Sequence, residues 1–314
     1  MKIKHHSYIF YILALAVILI NCGTYIPKVR DFVPKDNRVL TDSQLLKPNT
    51  RGLPELFPLN TGEIEVDTSL LLNLEKDPSL KNTKVYVPVM SYLVRHPEKG
   101  DVLIDTGFDD SFSKSGHGNF GCMAKFFSFA KQKPGQDIAN LLKSMNAKVT
   151  GVYFTHLHAD HTTGVPALSK DIPYYAGKGS LSDSYADLFG VCMNHLDGIN
   201  EIQEINFESA ANVDLLGKVI DVWGDGSLWA IHTPGHSEGH ISFLVNSKSG
   251  STLLTGDASH TSYGFKNSIA PGKTQNKKKS EESLEKLIAF NKRNPQVKVI
   301  FGHDPENSYT PEKK

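Results

Sequence analysis

Residues 154–164 read FTHLHADHTTG, and positions 156–161 of that stretch hold three histidines and an aspartate. Four ionisable groups side by side do not enter an apolar core without partners. Either they lie in water or positive charge holds them, and the rest of the chain decides which. Just upstream, VTGVYFT (149–155) has the short apolar run of a buried strand. Before it, GQDIANLLKSMNA (135–147) repeats Ile138, Leu141, Leu142 and Met145 at helical spacing. The cluster therefore sits where a strand ends, a place where sites are commonly built. In an extended strand end, residues two apart point the same way, so His156 and His158 can grip one ion. A helix starting just after would turn Asp160 and His161 toward a second.

Two ions need more ligands than one segment offers. Three other strand-like stretches end in candidates: SLWAIHTPGH (227–236), STLLTGDASH (251–260) and VKVIFGHD (297–304). His236, Asp257 and His303 can complete the set, and Asp257 can bridge through its two oxygens. Neutral imidazoles and carboxylates suit zinc, and also manganese, iron or cobalt. KVYVPVMSYLVRH (84–96) and DVLIDTGF (101–108) read as a hairpin around PEKG, and HISFLVNS (240–247) as a further strand. SEESLEKLIAFNKRN (280–294) reads as a helix capped at Ser280, with Lys277 to Lys279 in a solvated loop before it. Strands come first, then strands and helices alternate. This order suggests an α/β fold with sheets inside and helices outside.

The ordered set His-x-His-x-Asp-His, His, Asp, His resembles the metallo-β-lactamase fold superfamily over roughly residues 60–305. The resemblance implies an αββα sandwich. It also implies that His156, His158 and His236 hold one metal, that Asp160, His161 and His303 hold a second, and that Asp257 bridges. VPVMSYLVRHPEKGDVLIDTG (87–107), TPGHSEGHISFLV (233–245), LLTGDAS (253–259) and FGHD (301–304) are similar to the quorum-quenching lactonases that hydrolyse N-acyl homoserine lactones. This implies a lactone or similar carboxylic ester, opened by a hydroxide bridging two divalent ions, with Asp160 passing a proton to the leaving alkoxide. Those lactonases commonly carry a tyrosine three residues after the bridging Asp, at the substrate carbonyl. Here His260 holds the position and Tyr263 follows, so these two are the candidates for assisting the oxyanion. The resemblance also implies that Asp105 in the DTG turn supports a ligand histidine, while His232 and His240 flank His236 and are either its partners or ordinary strand and loop residues. His117 and His195 are expected at the surface. Two alternatives remain open: a phosphodiesterase or other ester hydrolase on the same site, and a surface lipoprotein that binds a partner and keeps the metals for structure.

The chain has 314 residues, with 34 Lys plus Arg against 34 Asp plus Glu. The balance lacks the basic excess of a nucleic-acid footprint. Residues 1–21 begin with Lys2 and Lys4, continue with SYIFYILALAVILI and stop before Cys22. The pattern resembles a bacterial lipoprotein signal, with Asn21 where Gly, Ala or Ser is usual. It implies export and a lipid anchor on a bacterial membrane, facing the periplasm or the cell surface. Residues 22–55, with scattered prolines and charges, read as a tether or extended arm. Residues 56–314 form the hydrolase domain. Export makes a Cys122–Cys192 disulfide an open alternative to two buried thiols. NFGCMAKFFSFAKQKP (119–134) is an aromatic-rich flap that either packs onto the sandwich or lines an acyl pocket.

Overall fold

In chain order the strands are β1 (Lys28–Phe32), β2 (Val39–Leu40), β3 (Glu55–Asp67), β4 (Lys84–His96), β5 (Gly100–Ile104), β6 (Ala130–Lys131), β7 (Val149–Tyr153), β8 (Tyr174–Gly177), β9 (Glu201–Ile205), β10 (Ala211–Val213), β11 (Gly217–Asp221), β12 (Leu228–His232), β13 (Ile241–Ser247), β14 (Gly250–Leu254) and β15 (Lys298–Ile300). The helices are α1 (Asp42–Leu45), α2 (Thr68–Leu71), α3 (Ser111–Ser115), α4 (Ile138–Ser144), α5 (Ala159–Thr162), α6 (Ser262–Asn267) and α7 (Lys277–Arg293). They belong to a computed structural model that describes residues 27–33, 36–50, 52–116, 118, 130–181 and 195–304. Among the described residues, one sheet has eight strands in the order β1-β9-β8-β7-β5-β4-β3-β6. The other has seven, in the order β15-β14-β13-β12-β11-β10-β2.

Successive strand side chains face opposite ways, and the chain uses both faces. Tyr92, Val94, Val102 and Ile104 meet Ala230, Phe243, Val245 and Leu254 between the sheets. The residues between them, Leu93 and Leu103, turn outward to Val152, Ile138 and Leu142, so α4 covers that face. On the second sheet Trp229, Ile231, Leu244 and Leu253 meet Leu284, Leu287, Ile288 and Phe290 of α7. The layers are helix, sheet, sheet, helix, the expected αββα sandwich. Each fully buried Leu, Ile or Phe in these layers contributes about 1.5–3 kcal/mol.

Local signals explain most element ends. Asp137 caps α4 by accepting the Asn140 N–H. The turn from β4 into β5 places Gly100 at φ 86°, where a side chain would be strained. Helix α7 begins earlier than its sequence suggests. Asn276, not Ser280, is the cap, accepting the Lys279 N–H. Lys277 to Lys279 form its first turn rather than a loop, because asparagine caps as well as serine and lysine favours helix. Ser280 is then a buried helical residue.

The N-terminal arm is extended, but the fold does not start at residue 56. β1 pairs in parallel with β9, and β2 with β10, so the arm lends an edge strand to each sheet. Leu40 and Leu45 enter the core beneath α7. The signal segment with Cys22, the Cys122 and Cys192 pair, His117 and the aromatic-rich stretch from Phe120 to Phe129 lie outside the described residues. No helix among the described residues is long and apolar enough to cross a membrane.

Candidate metal centre

The site is assembled at strand ends. β12 and β14 each run antiparallel to β13, and β15 runs parallel to β14, so all three deliver the residues after them to one edge of the second sheet. β5 and β7 run parallel in the first sheet and deliver Asp105 and the 156–161 cluster. One backbone bond joins the two edges, from the Ile241 N–H to the Thr155 carbonyl at 2.8 Å.

The structure brings all seven sequence-derived ligand candidates together. His158 Nδ1 lies 2.9 Å from His156 Nε2 and 3.0 Å from His236 Nε2. Asp257 Oδ2 lies 3.4 Å from His236 Nε2 and 3.7 Å from His156 Nε2. On its other side the same oxygen is 3.4 Å from His303 Nε2, and Asp257 Oδ1 is 3.5 Å from His161 Nε2. Asp160 Oδ2 closes the second group, 3.3 Å from His303 Nε2 and 3.6 Å from His161 Nε2. Donors held on one ion by bonds of about 2.1 Å sit roughly 3–4 Å from each other. These spacings fit two ion positions that share Asp257. Asp257 Oδ1 and His161 Nε2 are buried without a hydrogen-bond partner. Such atoms are costly unless a cation satisfies them, so the residues present fit a pair of divalent ions.

Backbone and hydroxyl groups aim the rings. Asp105 sits at φ 56°, a conformation aspartate tolerates. Its carboxylate accepts the Thr155 N–H at 2.7 Å and the Thr155 hydroxyl at 2.8 Å, and contacts His161 Nδ1 at 2.8 Å. With the His161 proton on Nδ1, Nε2 faces the cluster as a lone pair, the usual arrangement behind a metal ligand. Asp105 therefore takes the supporting role expected of it. His240 does not reach His236 as a partner; its Nε2 accepts the Asp257 N–H at 2.9 Å. A relay of Thr233, Ser242 and the Thr255 carbonyl orders its other nitrogen, with contacts of 2.8, 2.9 and 2.7 Å. Burial pushes His240 down to about 3, so it stays neutral. His232 instead stacks on Phe207, with ring centroids 4.7 Å apart. The Thr155, Thr233 and Ser242 hydroxyls carried no sequence signal, because single Ser and Thr residues in strands are ordinary.

Electrostatics shows what the cluster demands. Burial opposes charge on His161, yet Asp257, Asp105 and Asp160 hold it well above the ordinary histidine value. Burial opposes charge on His303 too, and Asp257 and Asp160 lift it to about 10. Burial, then the neighbouring imidazoles, holds His156 well below that range. The carboxylates require nearby positive charge, and protons supply it where cations do not.

Three expectations change. Tyr263 is turned outward on α6, 41% exposed, and its hydroxyl donates to Asp77 at 2.6 Å, so it does not join the cluster. His260 precedes the extended cap Thr261, and the helix starts only at Ser262, so helical spacing does not bring the two side chains to one face. His260 is buried in the site, but its two nitrogens face the Leu71 carbonyl and Asp257 Oδ2, both at 3.0 Å. In that position it offers no N–H to a substrate oxyanion. His195 is not a surface residue; it is 1% exposed and bonded to the Thr162 hydroxyl.

Comparison with known proteins agrees with this geometry. The family described as the metallo-beta-lactamase superfamily matches residues 86–303. The N-acyl homoserine lactonase AttM of Rhizobium johnstonii is 29% identical over 238 residues, covering 70% of this chain and 82% of the relative. The crystal structure of a quorum-quenching N-acyl homoserine lactone lactonase superposes with a TM-score of 0.62 at 23% identity, covering 83% of this chain and 95% of that one. AidC, a dizinc quorum-quenching lactonase, superposes with a TM-score of 0.54 at 14% identity, covering 82% and 90%.

Proposed function

We propose, from the premise that this chain belongs to the metallo-beta-lactamase superfamily, that it is a dinuclear metal-dependent hydrolase that opens a lactone or a similar carboxylic ester. One observation carries the reading: Asp257 presents its carboxylate to two adjoining ligand groups, His156, His158 and His236 on one side and Asp160, His161 and His303 on the other. A purely structural ion is normally closed within one set of ligands and needs no shared carboxylate. The named lactonase relatives support an ester ring as substrate.

Zinc fits the donor chemistry, with manganese, iron and cobalt as other occupants. When bound, a pair of such ions supplies an activated water near neutral pH and stabilises negative charge developing on a carbonyl oxygen. The chain's own residues do the rest. His156 and His236 are buried, and His158 is half-buried between them. Asp160 is the carboxylate that faces outward, with its side chain 19% exposed against 4% for Asp257. It is placed to meet the substrate and to move a proton onto the departing alkoxide. Asp105 and His240 hold His161 and Asp257 in position.

The deciding experiment is a panel of lactones, aryl esters and phosphodiesters tested on metal-reconstituted protein, with Asp257→Ala as control. Lactone turnover that disappears in the variant is expected. Turnover of phosphodiesters alone, or equal activity in the variant, would overturn the reading.

The exported location is a proposal of the same kind, supported by the charged start, the apolar run and Cys22. Fatty-acid labelling should mark the wild-type chain and fail on Cys22→Ser. A labelled variant would refute the anchor.

A further inference from the structure

We infer that His260 is an additional metal ligand, binding through Nε2 an ion that Asp257 and His303 also hold. The inference rests on the dinuclear reading and deepens it at one position.

The argument begins with the tautomer. The Leu71 carbonyl lies 3.0 Å from His260 Nδ1 and can only accept. On the other side, Asp257 Oδ2 lies 3.0 Å from Nε2, and a carboxylate oxygen also only accepts. A neutral imidazole has one N–H. With the proton on Nδ1, the Nε2 lone pair faces the carboxylate; with the proton on Nε2, the Nδ1 lone pair faces the carbonyl. Either neutral form sets two acceptors against each other at hydrogen-bond distance. A doubly protonated ring also satisfies both contacts, and the spectrum of the zinc-loaded protein separates it from a metal-bound ring. A metal at Nε2 removes the conflict. Nδ1–H donates to Leu71, and Nε2 and Asp257 Oδ2 become neighbouring donors on one ion.

His303, which belongs to the family's ligand pattern, is built in the same way. Its Nδ1 faces the Pro88 carbonyl at 3.0 Å, and its Nε2 lies 3.4 Å from Asp257 Oδ2. The two histidines are also tied together, since the His303 N–H donates to the His260 carbonyl at 2.8 Å. Donor atoms of Asp257, His260 and His303 all lie within 4.8 Å of one another, and all three residues are buried. A backbone carbonyl on one ring nitrogen is the usual way a protein orients a ligand imidazole for its metal. A sixth imidazole would fill a position beside the shared carboxylate that a substrate could otherwise occupy.

The test uses the full chain loaded with zinc and labelled with 15N at histidine. Two zinc ions per chain are expected, with His260 Nε2 in the metal-bound shift range and without an attached proton. In His260→Phe and His260→Asn, zinc X-ray absorption should show one imidazole fewer per pair, and one zinc should bind at least tenfold more weakly. Weaker binding alone does not decide the matter, because outer partners of metal ligands cost about 10–100-fold as well. Two zinc ions with a protonated His260 Nε2, or an unchanged imidazole count in the variants, would overturn this inference and leave the dinuclear reading standing. Protein that binds no zinc pair would overturn both. The wild-type spectrum decides the question even if neither variant folds.

Discussion

Replacing Asp105 with asparagine changes one atom and should cost the protein a metal ligand. The backbone at φ 56° accepts Asn as readily as Asp, so the turn survives. The side-chain oxygen must keep the Thr155 N–H, a buried contact of 2.7 Å. That places the new NH2 against His161 Nδ1, where the carboxylate contact was 2.8 Å. Two donors cannot face each other, so His161 shifts its proton to Nε2. There the proton finds Asp257 Oδ1 and Asp160 Oδ2, at 3.5 and 3.6 Å. The swapped ring is comfortable and no longer able to bind metal. Loss of such an orienting partner weakens metal binding by about 10–100-fold, or about 1.4–2.7 kcal/mol. The metal-free fold should change little. Losing a charge-assisted hydrogen bond costs ~1.5–3 kcal/mol, and removing a carboxylate whose ionisation burial opposes offsets part of it. Competition against a chromophoric chelator measures zinc affinity, and urea unfolding of stripped protein measures the fold. A variant that binds both ions within twofold of wild type would show that Asp105 does not set the His161 tautomer.

Three other substitutions test separate parts of the site. His240→Phe leaves the buried Asp257 N–H without its acceptor; it should destabilise the stripped protein by about 1–3 kcal/mol in urea and weaken zinc binding. Gly302→Ala places a Cβ against Asp257 Oδ1 and the Gly256 backbone; overpacking of about 1–3 kcal/mol and loss of zinc from the shared carboxylate are expected by calorimetry and metal analysis. Tyr263→Phe removes only the exposed bond to Asp77; turnover should stay within twofold of wild type, and stability within ~0.5 kcal/mol. A large loss of turnover in that variant would place Tyr263 back in the chemistry.

The candidate ligands were legible because each stands at the end of a strand with a strong local signature, and because their order along the chain matches a known pattern. Their supports were less legible. Asp105 could be named from its DTG turn, but that His240 serves Asp257 rather than its near neighbour His236 depends on how β12, β13 and β14 stack. Tyr263 and His260 are three positions apart, and nothing local says that one faces solvent and the other the site. The N-terminal arm read as a tether because its strands are only five and two residues long; their hydrogen-bond partners, β9 and β10, lie more than 150 positions further along.

The amino-acid order by itself determined the chemical identity of the site and the layered sandwich. Both follow from short-range facts: which residue types occur, at what spacing, and with what apolar period. Only the tertiary structure decided where each proton sits, which histidine orients which neighbour, and that a single carboxylate faces both ligand groups. Those outcomes depend on distances of about 3 Å between segments far apart in the chain, and backbone carbonyls such as those of Leu71 and Pro88, which every residue possesses, leave no mark in a sequence.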